Sequence, residues 1–294
     1  MIAAEASPAG LLLRAISAGG IETCFQVPDF ELCLDIGRCP PGAERWPTLL
    51  LTHGHIDHAA GLPYYVSLRR LYGYPPARVY CPAASLEPLR KILAAWTELQ
   101  TNSEECELIG VRPGDLIPLG KGRWARAFAS PHRIATVGYA LYREVKKLRP
   151  DLQGQPGPAI AARVAAGEEV NVKEERLDLC FPGDARIEVL DWEPATQHAR
   201  VLLLECTFLG EGETPAHANE GGHIHLDQLA ARAEHFQNRA LVLTHFSRRY
   251  SVEQIERAVA SRLPAALLAR TWLLTHPSPA GPGRLAPAAP APAR

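Results

Sequence analysis

Short apolar runs recur along the chain, separated by clusters of Gly, Pro and Asp and by stretches whose apolar positions repeat at helical spacing. The runs predict strands at Ile21–Val27, Glu31–Ile36, Thr48–Thr52, Arg78–Cys81 and Trp124–Ala129. Further strands are predicted at Val137–Tyr142, Leu177–Phe181, Val201–Thr207, Ala240–Thr244 and Thr271–Thr275. Pro28 and Asp29 supply a turn that folds the first two into a hairpin. The helical spacing predicts helices over Leu62–Tyr72, Leu86–Leu99, Leu226–Asn238 and Val252–Leu263. Ser251 and Gln254 fit a capping box at the start of the last one, so a strand-to-helix loop precedes it. Interleaved helices and strands, with hairpins in the first part, predict a mixed α/β sandwich.

Two segments fall outside that rhythm. Arg143–Asp178 opens with Arg143, Lys146, Lys147 and Arg149, passes Gly154-Gln155-Pro156-Gly157-Pro158, and continues through an Ala-rich piece to Gly167. Charged, punctuated by Gly and Pro, and set between two strong strands, it reads as an inserted excursion or as an ordinary surface helix and loop. From residue 277 to 294 the chain is mostly Pro, Ala and Gly, offers nothing to a core, and is expected to be a disordered tail. One domain is therefore expected over residues 1–276, carrying 143–178 as an insertion.

At 294 residues, 47% hydrophobic and 21% charged, the chain is neither disordered overall nor a disulfide-stapled mini-protein. No stretch approaches the ~20 consecutive apolar residues that span a bilayer, so no membrane partner is expected. A net charge of −1 argues mildly against a basic coat for nucleic acid. The seven cysteines are scattered and form no Cys-x-x-Cys pair, which points to reduced, buried thiols. Met1 to Gly20 lacks the basic start and long apolar run of a signal peptide, so a cytoplasmic location is expected. Eleven histidines say more than the charge, because His is the commonest metal ligand and general acid–base.

The densest group is Thr52-His53-Gly54-His55-Ile56-Asp57-His58, directly after an apolar run. In an extended stretch residues i and i+2 project to one side, so His53 and His55 can address one ion. Asp57 and His58, in the following turn, can serve a second. Burying several unpaired imidazoles behind a core strand is costly, which favours ligation over a structural role. An ion needs at least three protein ligands, so more should stand at strand ends downstream. His132 follows Trp124–Ala129, Asp184 follows Leu177–Phe181 through Gly183, and His245 follows Ala240–Thr244. Each lies where α/β architectures place their sites. Together they complete two sites that can share Asp184, with zinc favoured and iron or manganese acceptable. Two ions ~3.5–4 Å apart suit a phosphoryl displacement.

His-x-His-x-Asp-His with the downstream His, Asp and His resembles the metallo-β-lactamase superfamily. A closer resemblance is to the tRNase Z (ribonuclease Z) family, in the short form typified by plant enzymes. It is carried by Asp35-Ile-Gly-Arg-Cys-Pro40, by His53–His58 with Gly61-Leu62-Pro63, and by Gly183-Asp184. It continues through Glu205-Cys-Thr-Phe208, Gly222-His223-Ile-His225 and Thr244-His-Phe-Ser-Arg-Arg-Tyr250. The resemblance implies an αβ/βα sandwich of two mixed β-sheets flanked by helices, with the metal centre at one edge. It implies two Zn2+ per chain, with Mn2+ as the alternative metal: His53, His55 and His132 on one ion, Asp57, His58 and His245 on the other, and Asp184 bridging. It also implies endonucleolytic removal of the 3′ trailer from precursor tRNA, leaving a 3′-hydroxyl, and a homodimer. Arg143–Asp178 then stands where the family carries the exosite that grips the tRNA elbow. Two positions depart from the pattern: Ala185 replaces a common Thr, and Cys206 a common Ala or Ser.

Cleaving the phosphodiester needs a nucleophile, charge neutralisation and a proton for the leaving oxygen. Asp57 is expected to accept a proton from water. His223, after two glycines that let the backbone approach a bulky substrate, is expected to be the acid. Glu205 is expected to hold its other ring nitrogen and keep it protonated. Arg143, Lys146, Lys147, Ser247, Arg248 and Arg249 are candidate phosphate contacts. His217 and His225 read as supporting or surface residues, and His198, His235 and His276 as ordinary ones. Two other readings stay open: another hydrolase of this fold, such as a small-molecule phosphodiesterase, and a non-catalytic RNA-binding relative. The filled ligand positions and the exosite-like segment favour the tRNA nuclease. The helix Leu62–Tyr72 suits a dimer face and a monomer core equally.

Overall fold

A computed structural model describes residues 3–100, 105–210, 212–276 and 283–288. One sheet runs in chain order through β1 (Ala4–Ala6), β2 (Leu13–Ala18), β3 (Glu22–Val27), β4 (Leu32–Leu34), β5 (Thr48–Leu50), β6 (Ala77–Pro82) and β7 (Cys106–Val111). It is antiparallel as far as β4 and parallel from there to β7. The other sheet runs through β8 (Leu116–Gly120), β9 (Arg123–Ala129), β10 (Val137–Leu148), β11 (Asn171–Phe181), β12 (Val201–Glu205), β13 (Ala240–Thr244), β14 (Thr271–Leu274) and β15 (Leu285–Pro287). Its β11 to β14 are parallel, and its margins antiparallel.

Parallel strands need crossovers and are covered on both faces, which is why β12 and β13 are buried end to end. Phe25, Leu34 and Leu50 of the first sheet meet Tyr139, Phe181, Leu203 and Val242 of the second in the central core. The helices Leu62–Leu71 and Leu86–Gln100 bury Leu62, Tyr65, Leu89 and Leu93 on the outside of the first sheet. Leu226, Leu229, Ile255 and Val259 do the same for the second, on the helices Leu226–Ala231 and Val252–Arg262. The result is the helix–sheet–sheet–helix sandwich expected. Residues 53, 132, 184, 205 and 245 all stand at or just beyond the C-terminal ends of β5, β9, β11, β12 and β13. No helix among the described residues is long and apolar enough to cross a membrane.

Several expectations are corrected. The tail is not wholly without structure: Leu285–Pro287 adds a strand to β14, pairing Leu274 with Leu285, which is 7% exposed. Composition misses this because pairing draws on backbone groups, and one leucine suffices to close an edge. Residues 277–282 and 289–294 lie outside the described residues. The helix expected to reach Asn238 stops at Ala231 before a 3-10 turn, and the Asn238 amide instead donates to the carbonyls of Thr196 and Ala199. In β8, Pro118 hides a strand at the sheet margin.

The segment 143–178 is also more regular than a loop. β10 and β11 run on past the sandwich as a two-stranded arm to Leu148 and Asn171, with a register shift between Leu141 and Tyr142. A 3-10 turn, Pro150–Leu152, and the helix Gly157–Ala165 cap it. Its strands were masked by charge, because they are held by the diagonal pairs Lys173–Glu144 (3.1 Å) and Lys147–Glu174 rather than by apolar contacts.

Candidate metal centre

β5 ends at Leu50, and the chain stays extended until His55 caps the single helical turn Ile56–Ala59. His53, Asp57 and His58 are thereby buried at the edge of the sandwich. Nε2 of His53 stands 3.0 Å from Nδ1 of His55, which stands 3.2 Å from Nε2 of His132. Asp184 Oδ2 lies 3.8 Å from the His53 nitrogen. A second group converges beside it. Nε2 of His58 and Nε2 of His245 are 3.4 Å apart, with Asp57 Oδ2 at 3.6 and 3.3 Å from them. Asp184 Oδ1 is 3.3 Å from the first and 3.4 Å from the second. Asp184 thus turns one oxygen to each group.

The outer hydrogen bonds settle which ring nitrogens are bare. Thr52 Oγ1 donates to Asp35 at 2.8 Å, so at 2.9 Å it accepts from Nδ1–H of His53. Thr207 Oγ1 donates to Glu205 Oε2 at 2.6 Å and accepts from Nδ1–H of His245 at 3.0 Å. His58 Nδ1–H donates to Asp35 Oδ2 at 2.7 Å, and His132 Nδ1–H to the Gly222 carbonyl at 2.8 Å. Four Nε2 atoms therefore face inward against two carboxylates. This donor set, oriented from outside, fits a divalent metal ion in each group.

In the metal-free chain, burial holds His53, His55 and His132 below the ordinary imidazole range. Burial works against charge on His58 as well, but the Asp184 and Asp35 carboxylates outweigh it and raise this group well above that range. Asp184 is pushed the other way, since the neighbouring His245 and His58 rings outweigh its burial and hold its carboxyl well below the usual range.

Backbone strain accompanies this order. Asp35 and His245 both sit in the left-handed region, at φ of 52° and 58°. Gly183, at φ +71°, lets the chain turn against Thr52, where a Cβ would stand 2.7 Å from the threonine Oγ1.

Beside the two groups, Glu205 Oε1 lies 2.8 Å from His223 Nδ1, and the ring of His223 stacks on His245 at 5.4 Å. Glu205 is 1% exposed and also accepts the backbone N–H groups of Ala185 and Ile224. No arginine pairs with it among the described residues. His223, a fifth exposed, opens to solvent at the metal edge.

Residues 38–246 match the beta-lactamase superfamily domain. The chain is 35% identical to tRNase Z TRZ1 of Arabidopsis thaliana over 269 residues, covering 91% of this chain and 96% of that protein. It belongs to the tRNase Z family. A second Arabidopsis thaliana relative, tRNase Z TRZ2, chloroplastic, is 36% identical over 90% of this chain and 75% of its own length. Among solved structures, the metallo-beta-lactamase fold protein YhfI from Bacillus subtilis superposes with a TM-score of 0.57 at 15% identity, covering 84% of this chain and 91% of that one. The short form of human tRNase Z superposes with a TM-score of 0.50 at 20% identity, covering 85% and 92%. These two likenesses speak for the fold.

All seven expected ligands converge, Asp57 among them, with His223 and Glu205 beside them. Most of the expected phosphate contacts are engaged elsewhere. Arg143 is engaged by Asp178 and by Asp29 (3.1 Å) and lies over the Phe30 ring, so its guanidinium is already partnered at the base of the arm. Lys147 is paired with Glu174, and Arg249 with Glu213. Ser247 Oγ accepts the Arg249 N–H at 3.4 Å. Lys146 and Arg248 are exposed, the latter beside Arg38 in a shallow cleft near the centre. His225 caps the helix Leu226–Ala231, accepting the Asp227 N–H.

Three residues lacked an expected role: Asp35, Thr52 and Thr207. Asp35 and Thr207 stood inside the family-like motifs, and each follows an apolar strand as the ligands do. Their acceptor work could not be read without knowing which imidazoles they face.

Proposed function

We propose that the protein is a metal-dependent endoribonuclease that removes the 3′ trailer from precursor tRNA, with two Zn2+ per chain and leaving a 3′-hydroxyl. The relatives named tRNase Z cover nine-tenths of the chain, which supports the substrate. The observation that carries the chemistry is the pair His223–Glu205 set beside two four-donor groups. His53, His55, His132 and Asp184 would hold one ion, and Asp57, His58, His245 and Asp184 the other. When bound, such ions neutralise phosphate charge and make water acidic enough to attack at neutral pH.

The chain's own groups supply the rest. Asp57, buried and anchored by the Gly20 N–H at 2.9 Å, accepts the proton of the attacking water. His223 delivers a proton from Nε2 to the leaving O3′, while Glu205 holds Nδ1 and keeps the ring charged. A group outside both donor sets is suited to this, because its lone pair is not committed to a metal.

The arm 143–178 is assigned to hold the body of the tRNA. It carries seven basic and seven acidic residues, so its grip rests on shape and single contacts rather than on net charge. A homodimer is part of the proposal, supported by exposed Tyr64, Leu71 and Tyr72 on one helix and the turn after it. So is a cytoplasmic location, supported by six buried cysteines that form no disulfide. Incubation with a 3′-extended precursor tRNA tests the function: cleavage after the discriminator base is expected, and its absence rejects the reading.

A further inference from the structure

The β10–β11 ladder shifts register between Leu141 and Tyr142, β9 stays paired to β10 as far as Arg143, and the last pair before the two-stranded arm is Arg143 opposite Arg176. Like charges directly opposite destabilise a ladder. Here one carboxylate answers both. Asp178, wholly buried, takes Nε of Arg143 and, at 2.7 Å, Nε of Arg176. Arg200, which leads into β12, brings its Nε to 3.5 Å from the same carboxylate. Arg143 continues outward: its Nη2 reaches Asp29 Oδ2 at 3.1 Å, and its guanidinium lies 4.8 Å from the centre of the buried Phe30 ring. Asp29 and Phe30 belong to the turn between β3 and β4, in the opposite sheet.

One buried carboxylate on β11, the strand that leads to Asp184, therefore joins both strands of the arm to the lead into β12, which carries Glu205, and through Arg143 to the turn between β3 and β4. We infer that Asp178 is a positioning residue that sets the angle of the arm relative to the metal centre, and thereby the reach between the tRNA body and the scissile bond. Without it, Arg143, Arg176 and Arg200 lose their shared carboxylate, and the two strands repel at the base of the arm. Asp178 itself stands apart from both metal groups and from His223. Its effect is on where the substrate is held and leaves the chemical step alone. This inference rests on the assignment of the arm to tRNA.

Asp178→Asn keeps the shape and removes the charge. Steady-state kinetics on precursor tRNA should show KM raised about tenfold with kcat nearly unchanged, and turnover of a chromogenic phosphodiester unaltered. Arg176→Gln, which leaves Asp178 with Arg143 and Arg200, should shift KM in the same direction by a smaller factor, and serves if the first variant folds poorly. A chain with 149–170 replaced by an Asn-Gly turn provides the control, and in it Asp178→Asn should raise KM no further. If the arm deletion leaves KM for tRNA untouched, the assignment of the arm fails. If the deletion raises KM while Asp178→Asn and Arg176→Gln do not, the positioning role fails. A parallel fall of kcat on both substrates in the folded variants also overturns it.

Discussion

Glu205 Oε1 sits 2.8 Å from Nδ1 of His223, and its Oε2 accepts the hydroxyl that orients His245. One buried carboxylate thus serves the candidate acid and a metal ligand together. Burial alone would suppress charge on His223, but the Glu205 carboxylate pushes it up to about 9 in the metal-free protein.

NMR titration of the metal-free chain should therefore find His223 protonated at neutral pH. The folded value lies above the ordinary 6.5, so the stability it contributes is complete below about 6.5 and is lost as pH rises through about 9. Glu205→Gln should return the ring toward 6.5 or below and remove that pH dependence. An unchanged titration in the variant would show that Glu205 is not the cause.

His223→Ala should lower kcat for precursor tRNA by roughly 10²–10⁴, the range for loss of a general acid. Metal content, measured by mass spectrometry, should stay at the wild-type level because His223 belongs to neither four-residue group that shares Asp184. A small-molecule ester with a good leaving group, which needs no proton, should lose less than tRNA does. Equal losses would argue against the acid role.

Asp35→Ala removes the acceptor of His58 Nδ1–H and of the Thr52 hydroxyl that holds His53, and frees His58 and His53 to rotate. Metal affinity, measured by chelator competition, should drop by about 10–100-fold. Catalysis should recover in part when metal is added in excess. Retention of wild-type affinity would mean that the ring is held by packing alone.

Gly183→Ala should be poorly tolerated. At φ +71° any side chain is strained, and this one would meet Thr52 Cβ and Oγ1 at 2.7 Å. Thermal melting should show a loss of about 1–3 kcal/mol from the strain alone. The displaced Thr52 should also weaken metal binding through His53. A variant as stable as wild type, with full metal content, contradicts this.

The chain displays its chemistry more openly than its edges. His245 was legible because it follows an apolar run that is buried on both faces, and such a run leaves little choice of element, while His132 follows a run whose apolar positions alternate toward the core. Strand β8 was hidden by Pro118 at the sheet margin, and the arm by charges that pair across the ladder diagonally. Arg143 looked free for phosphate because Asp178, 35 residues on, meets it only when β11 folds back beside β10. Thr52 and Thr207 carry no signal as residue types, and their importance comes from the imidazoles they face.

The central claim is tested most directly by one assay: purified protein with Zn2+ and a precursor tRNA bearing a 3′ extension, run beside Asp57→Ala, with the cleaved ends mapped. The expected outcome is a single cut after the discriminator base leaving a 3′-hydroxyl, abolished in the variant and by chelation. An intact precursor in the wild-type lane, or cleavage that survives Asp57→Ala unchanged, contradicts the account.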